Sequence, residues 1–245
     1  MPATESTRAL LLRSVDYGDA DRVVTLFTER FGKTACIARG ARRSRKRFGG
    51  ALSPLAVLSV ELQRGRGELA TLTSAQLQTP FVRLLGDLAR MNAAFSGLEL
   101  LRALSPDHEP DAAVFAHACE LFAQLDAGEL PAEPLGLCFA WRLLALAGMA
   151  PRLDRCGLCG KAPRPEQAAE LDVLQGHLVC RQCGGAPHRL HAALRARLSQ
   201  ALTVAWADAA SADLPLSELA SARRVLDAYI EARLGRPLHR PKDSP

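Results

Sequence analysis

Aromatic residues are scarce in this chain of 245 residues, since 8 Phe, 2 Tyr and 2 Trp make up only 5% of it. A binding surface built mainly from stacked aromatic rings therefore has few candidates. Long apolar runs are also missing. The longest, residues 135–149, contains Arg142 and two glycines and is followed by Pro151. It is too short to span a membrane and instead predicts a buried helix.

A basic segment followed by an apolar one is absent from the N-terminus, so we expect the protein in a reducing cytoplasm. Disulfides are rare in that compartment, which makes the number and spacing of the cysteines informative. There are seven cysteines, an odd number. Three of them, Cys36, Cys119 and Cys138, lie in apolar runs and are interpreted as small core residues.

Catalytic motifs are missing as well. Gly32-Lys33-Thr34 resembles the end of a phosphate-binding loop, but no glycine-rich loop precedes the lysine. A zinc deaminase needs H-x-E upstream of P-C-x-x-C, whereas His108 and Glu109 are adjacent and Arg155 precedes Cys156. The sequence also has no recognisable motif that pairs a nucleophilic side chain with a general base. The chain is therefore interpreted as a protein that is not an enzyme.

The most informative motif is a C-x2-C-x20-C-x2-C pattern, formed by Cys156, Cys159, Cys180 and Cys183. Two such knuckles supply four thiolates, the set that a tetrahedral structural zinc ion requires. A glycine follows each second cysteine, and residues 171–179 read as a hairpin around Gln175-Gly176. Four protein ligands leave no open position, so we predict one structural zinc ion. A redox dithiol is disfavoured, and a metal-free, vestigial site is the remaining alternative.

Charge is unevenly distributed along the chain, whose net charge is +5. Residues 1–80 carry 13 Lys and Arg against 7 Asp and Glu, whereas residues 81–153 carry 5 against 9. Residues 154–245 carry 13 against 10. A basic N-terminal part followed by an acidic one indicates that the first part meets a polyanion.

The N-terminal part reads as five short strands separated by turns: 9–14, 22–27, 33–39, 55–62 and 68–73. In the fourth, Leu58, Val60 and Leu62 alternate with polar residues, as in a strand with one buried face. Five short strands avoid exposed edges by closing into a barrel. The sequence therefore predicts a five-stranded OB-fold, with an SH3-like barrel as the rival.

A helical period follows from Pro80 onward. Apolar spacing predicts a long helix from Phe81 that stops at Ser105-Pro106, and a second helix from about Pro110 to Gly128. The run around Trp141 predicts a third, residues 190–206 a fourth, and residues 219–234 a fifth. The fold class is thus α+β and multi-domain: an OB-fold domain (1–80), a helical domain (81–153 and 188–235), an interrupting zinc element (154–187) and a flexible tail (236–245).

A dense basic segment lies between the third and fourth predicted strands. Six of the nine residues from Arg39 to Arg47 are cationic and none is acidic. Such a loop binds a phosphate backbone because binding relieves its self-repulsion and releases counterions; a merely solvated loop is the alternative. Phe27, Phe31, Phe48 and Tyr17 are candidates for stacking on bases, although Phe27 fits a core position better. The candidate DNA-binding residues are Lys33, Arg39, Arg42, Arg43, Arg45, Lys46 and Arg47.

Taken in order, these features resemble the RecO family of bacterial DNA repair proteins, which are recombination mediators. The resemblance covers nearly the whole chain. It rests on Leu11 to Thr28, Gly32-Lys33, Ala38 to Arg43, Leu143-Leu144 and Gly148 to Pro151 leading into the paired CxxC motifs. Asp19 stands where the family more often has glutamate, and the paired cysteines are not universal in the family.

The resemblance implies an OB-fold first domain, a helical second domain and a zinc element. It implies binding of single- and double-stranded DNA, annealing of complementary strands, and cooperation with RecR and the single-stranded-DNA-binding protein to load RecA. The implied location is the cytoplasm, in association with the nucleoid. Two other functions stay open: a protein–protein adaptor whose helical domain docks partner tails, and a zinc-ribbon factor that binds RNA.

Overall fold

The computed structural model describes residues 4–49, 51–65, 69–201 and 216–238. The chain divides into two compact units, with the boundary between Gly128 and Glu129. The first unit contains all the predicted barrel strands and the first two predicted helices. The division into OB-fold, helical and zinc domains with a tail, as expected from the sequence, stays a prediction; residues 239–245 of that tail lie outside the described residues.

Five strands form a closed barrel in the first unit: β1 (Thr4–Tyr17), β2 (Asp21–Thr28), β3 (Gly32–Ala38), β4 (Ala56–Gln63) and β5 (Ala70–Pro80). Their order around the barrel is β1-β2-β3-β5-β4. All neighbouring pairs are antiparallel except β3 and β5, which are parallel. A short helix, α1 (Arg45–Phe48), connects β3 to β4. The predicted OB-fold is confirmed.

The barrel is filled by the alternate residues of its strands. Leu58, Val60 and Leu62 of β4 are fully buried, while Glu61 between them is exposed. Burial of each of these side chains contributes about 1.5–3 kcal/mol. Strands β1, β2 and β5 are longer than the sequence predicted. In β1, residues 4–10 pair with β4 and residues 9–17 pair with β2, so one or the other partner accompanies the strand along its whole length. Backbone pairing extends a strand beyond its apolar residues.

Two helices complete the first unit, α2 (Leu88–Leu104) and α3 (Ala112–Ala127). The prediction that the first helix begins at Phe81 is wrong. Residues 84–86 form a 3-10 turn, and Asp87 then caps α2 by accepting a hydrogen bond from the Arg90 amide. The apolar period continues through this segment, but the carboxylate at the N-cap fixes where the α-helix begins. The second helix matches its prediction, because Asp111 caps its start.

Within its described residues, the second unit combines three helices with a small sheet. The helices are α4 (Ala132–Leu146), α5 (Ala192–Ala201) and α6 (Leu216–Leu234). Strands β6 (Arg152–Cys156), β7 (Ala169–Asp172), β8 (His177–Val179) and β9 (His188–Leu190) pair in the order β6-β8-β7-β9. Leu190, predicted to begin a helix, ends β9 instead, and the predicted end of that helix at Trp206 lies outside the described residues.

Buried aromatic residues join the helices of this unit. The rings of Trp141 in α4 and Tyr229 in α6 lie 6.1 Å apart, and the Tyr229 hydroxyl donates to the carbonyl of Met149 at 2.8 Å. Burial raises the pKa of Tyr229, so it remains a donor at neutral pH.

In the part of the chain that the structure describes, no helix combines the length and apolar character needed to cross a membrane.

Candidate metal centre and nucleic-acid interface

The four cysteines of the two CxxC motifs meet at one point in the second unit. The sulfur atoms of Cys156, Cys159, Cys180 and Cys183 all lie within 4.8 Å of one another. The Cys159 and Cys180 sulfurs are 3.7 Å apart. A tetrahedral metal ion with sulfur ligands at about 2.3 Å separates the sulfurs by about 3.8 Å. The cluster therefore has the dimensions of a four-thiolate metal site.

Local backbone geometry builds each knuckle. The Gly160 amide donates to the Cys156 carbonyl at 2.9 Å, and Gly160 has φ +73°, a conformation that a residue with a Cβ adopts only with strain. Gly184 has φ +106° after the second knuckle. The glycine that follows each second cysteine thus turns the chain around the sulfurs. The predicted hairpin is present as β7 and β8, which pair Asp172 with His177.

Hydrogen bonds to sulfur prepare one thiol for metal binding. The Cys180 amide donates to the Cys156 sulfur at 3.4 Å. Backbone amides of Cys159, Cys180 and Leu158 lower the pKa of Cys156 to about 6. Hydrogen bonds with the neighbouring thiols of Cys180 and Cys159 raise the pKa of Cys183 to about 12. Four thiolates this close repel one another, so full deprotonation requires a cation in their midst.

The basic segment 39–47 occupies the connection between β3 and β4 and includes α1. Its backbone is fixed to the turn between β1 and β2. The Gly40 amide donates to the Asp21 carboxylate at 2.7 Å, and the Arg42 amide donates to the Ala20 carbonyl at 3.0 Å. The guanidinium of Arg42 lies 3.6 Å from the carboxylate of Asp16. These contacts order the loop against the turn between β1 and β2.

Asp16 and Asp21 hold the basic segment in place, a role that sequence reasoning missed. Both flank the turn between β1 and β2, and a pair of acids at a turn is usually a local cap or a solvated feature. Here Asp16 contacts Arg22 at 3.0 Å as well as Arg42. The sequence signal that could have identified them is charge complementarity. The turn between β1 and β2 contains acids, and the predicted loop that packs near it contains six cations.

The cations of the segment fall into two groups. The side chain of Arg47 donates to the carbonyl of Arg39 at 2.8 Å and lies 5.3 Å from the centre of the Phe48 ring. Arg42 is paired with Asp16 as described. By contrast Arg39, Arg43 and Lys46 are exposed and have no side-chain partner among the described residues. The Arg45 side chain lies outside the described part.

Lys33 lies apart from this cluster. It is near the start of β3, and the basic segment begins after the end of β3, about 20 Å away at the usual strand rise. Its side chain is only 17% exposed, and the ammonium donates to the carbonyl of Arg102 at 3.1 Å. The structure therefore brings six of the seven predicted DNA-binding residues together and places Lys33 elsewhere in the barrel.

Most of the aromatic candidates for base stacking are buried. Phe27, Phe31 and Phe48 are 1%, 7% and 2% exposed, so the expectation that Phe31 and Phe48 present stacking faces is wrong. Phe31 and Phe48 belong to the barrel core, and cations such as Arg47 lie over their rings. Phe27 packs against Phe115 of α3 instead, with the two ring centres 6.2 Å apart. Tyr17 differs, since it is 60% exposed at the end of β1, beside the turn that holds the basic segment.

Two family models match this chain. The model described as the recombination protein O N-terminal domain matches residues 1–81, and the one described as the recombination protein O C-terminal domain matches residues 85–242. Together they span nearly the whole chain. Their border follows β5 and precedes α2.

Named relatives agree with these models. The chain is 42% identical over 236 residues to the DNA repair protein RecO of Anaeromyxobacter sp. (strain Fw109-5), covering 94% of this chain and 91% of that protein. It is 38% identical over 237 residues to the DNA repair protein RecO of Myxococcus xanthus (strain DK1622), covering 94% and 92%. It is 37% identical over 180 residues to the DNA repair protein RecO of Rubrobacter xylanophilus, covering 72% of this chain and 70% of that protein. The chain belongs to the RecO family.

Proposed function

We propose that this chain is a recombination mediator in DNA repair, which binds single- and double-stranded DNA and anneals complementary strands. With RecR, it helps to load RecA onto DNA coated by the single-stranded-DNA-binding protein. Membership in the RecO family and the printed names of the relatives support the repair role. The observation that carries DNA binding is the exposed, unpaired state of Arg39, Arg43 and Lys46 within the described part of the basic segment.

The position of the segment favours a nucleic acid over an acidic peptide. OB-folds bind oligonucleotides on one barrel face and in the adjoining loops. Here the cations project from a connection that is held against the β1–β2 turn, next to exposed Tyr17. A line of fixed cations suits a phosphate backbone, and a neighbouring ring suits a base. The exposed side chains in the described part of the segment are cations suited to phosphate contacts, so we expect binding that is largely independent of sequence.

Annealing by this surface needs no catalytic residue, and the chain acts without an enzymatic step. Two strands repel each other through their phosphates. A cationic surface that holds both lowers that repulsion and raises their local concentration, after which base pairing supplies the driving force. The predicted location, the cytoplasm in association with the nucleoid, forms part of the same proposal.

The four-cysteine cluster holds one structural zinc ion in this proposal. Four thiolates at tetrahedral spacing are the donor set that zinc prefers, and they leave no coordination position for water or substrate. The ion supplies folding free energy to a small sheet of strands only three to five residues long. Its task is to fix β6–β9, and no step of annealing passes through it.

The experiment that tests the proposal compares annealing of two complementary strands, each coated with its single-stranded-DNA-binding protein. The variant replaces Arg39, Arg43 and Lys46 with glutamine. A matched control removes three exposed arginines elsewhere: Arg83, Arg152 and Arg224. We expect annealing by the wild type and the control, and little by the variant. For single-stranded DNA the wild-type slope of log K against log salt should be roughly −3 to −4, and the variant's about 2 shallower.

Each other result points away from this surface or this function. Equal activity of the variant and the control would place the DNA site elsewhere on the protein. A wild type that is folded, loaded with zinc and unable to anneal would favour the adaptor, in which the helices dock a partner tail. Preference for ribose-bearing strands would favour the RNA-binding alternative.

A further inference from the structure

A concave, cationic site lies beside the cysteine cluster in the second unit. The cavity has a volume of about 490 Å³, which is within the range of small-ligand sites. Its walls come from both cysteine knuckles, the loop after the first one, and strands β7, β8 and β9. The charged side chains that line it are Lys161, Arg164, Glu170, Arg181 and Arg189.

The single carboxylate of this cavity is already engaged. Glu170 contacts Arg181 at 3.5 Å and accepts a hydrogen bond from the Ala186 amide at 3.0 Å. Arg189 lies directly opposite Glu170 in the pairing of β7 and β9, so the two side chains share one face of the sheet. The carboxylate therefore has a neighbouring cation and a backbone donor, and cannot neutralise the remaining positive charges.

Three cations are left without an anionic partner. Lys161, Arg164 and Arg189 are exposed, and no carboxylate of the described ranges lies within ion-pair distance of them. The loop that carries Arg164 is ordered, because its carbonyl accepts a hydrogen bond from Arg195 at 2.8 Å and its amide donates to Gln167 at 3.3 Å. Three unpaired cations on ordered backbone around one concavity form a site for a multiply charged anion.

We propose that this cavity binds a phosphate group of a nucleic acid strand, and so provides a contact for DNA on the second unit. The inference rests on the proposed function, since it supplies that function with a second anchoring point. Arginines donate in pairs to phosphate oxygens, and Lys161 adds a point charge. The volume accepts a phosphate together with its sugar. Binding is independent of base identity, because the polar groups that line the cavity are mainly cationic donors.

A competing role for the same cations is to balance the negative charge of the metal centre. Cys156 and Cys180 also line the cavity, and a zinc ion with four thiolates carries a net charge of −2. That role predicts loss of metal when the arginines are removed. The phosphate site predicts loss of DNA affinity with the metal retained.

The test removes two of the unpaired cations in the full-length protein, as Arg164→Gln with Arg189→Gln. The matched control is Arg152→Gln with Arg155→Gln, which removes the same charge from β6 outside the cavity; Arg155 is paired with Asp154. The readouts are metal content and affinity for a labelled single strand over a range of salt. We expect full metal content, a three- to tenfold weaker affinity at moderate salt, and a slope shallower by about 1.4. The control should change affinity less than twofold, and lysine at both cavity positions should restore most of the slope.

A 5′-phosphorylated strand compared with a 5′-hydroxyl strand distinguishes the two sources of the phosphate. Tighter binding of the first assigns the cavity to a strand end, and equal binding assigns it to the backbone. If the variant matches the control while wild type binds DNA, the cavity is not a phosphate site and the proposed function stands. If the variant loses its metal, the arginines serve the thiolate centre. If wild type binds no DNA, both the function and this inference fall.

Discussion

The ammonium of Lys33 lies 3.4 Å from the carboxylate of Asp107. This ion pair links the start of β3 to the segment between α2 and α3, and the Lys33 carbonyl reinforces it by accepting a hydrogen bond from the His108 amide at 2.9 Å. Lys33 was selected from the sequence as a DNA-binding residue. Its geometry gives it a structural task inside the first unit.

Lys33→Met should therefore lower the stability of the first unit more than it lowers DNA affinity. The substitution removes the hydrogen bond to Arg102 and the pair with exposed Asp107, which together contribute about 1 kcal/mol. Denaturant unfolding measures the stability, and fluorescence anisotropy measures the DNA affinity. Lys46→Met is the control with the opposite pattern: unchanged stability and weaker DNA binding. A Lys33 variant that is fully stable but cannot bind DNA would show that Lys33 contributes to DNA binding directly.

Gly32→Ala should destabilise the first unit strongly. A Cβ at Gly32 would overlap the backbone of Glu109, and the residue has φ +65°. Backbone cannot move aside as a flexible side chain can, so we expect a loss on the order of 2–4 kcal/mol. Gly18→Ala is the matched control, because Gly18 has φ +56° with open space around its Cβ position.

The control should lose only the cost of the left-handed conformation, about 1 kcal/mol. Thermal or denaturant unfolding of both variants measures the difference. Equal losses for the two would mean that the segment around Glu109 does not lie against β3 in solution.

Tyr17→Ala should weaken binding of single-stranded DNA, because Tyr17 is the aromatic candidate that the barrel leaves exposed. Stacking on a base contributes about 1–3 kcal/mol, so the dissociation constant should rise roughly tenfold. Tyr17→Phe keeps the ring and should bind like the wild type. A Tyr17→Phe variant as weak as Tyr17→Ala would assign the effect to the hydroxyl group instead of to stacking.

Metal retention should depend on pH with a definite sign. Backbone hydrogen bonds lower the pKa of Cys156 to about 6 from an ordinary value of 9.0. A thiolate with a lowered pKa contributes its stabilisation fully above the ordinary pKa and loses it as the pH falls through the lowered one. Protons already compete for Cys183 at higher pH, because its pKa is raised to about 12, and Cys156 joins it as the pH falls through about 6. Dialysis against a weak chelator at several pH values should therefore show more metal retained at pH 8 than at pH 5.

The cysteine variants give this experiment its control. Cys156→Ser should lose the metal at every pH, whereas Cys119→Ser in α3 should keep it. Burial raises the pKa of Cys119 to about 11, so this thiol stays protonated and takes no part in metal binding. Metal release that does not change between pH 5 and pH 8 would mean that protons do not compete for the cysteine sulfurs.

Several features could be predicted from the sequence because their causes are local. Two CxxC motifs with a hairpin between them bring four sulfurs together through backbone geometry alone, and Gly160 and Gly184 indicate the turns. Alternation at Leu58, Val60 and Leu62 predicts a strand with one buried face, from which a barrel follows. Helix α2 shows the limit: its apolar period extends to Phe81, but the cap at Asp87 decides where the helix begins.

The sequence by itself determined the barrel, the four-cysteine cluster and the existence of a basic segment, since periodicity, spacing and charge act over a few residues. The tertiary structure decided which side chains are accessible and which are paired. It buried Phe48, tied Lys33 to Asp107, held Arg42 against Asp16, and gathered Lys161, Arg164 and Arg189 around one cavity. Some of these residues are far apart in the chain, and the exposure of others depends on packing. Only the folded chain brings their charges and rings within interaction distance.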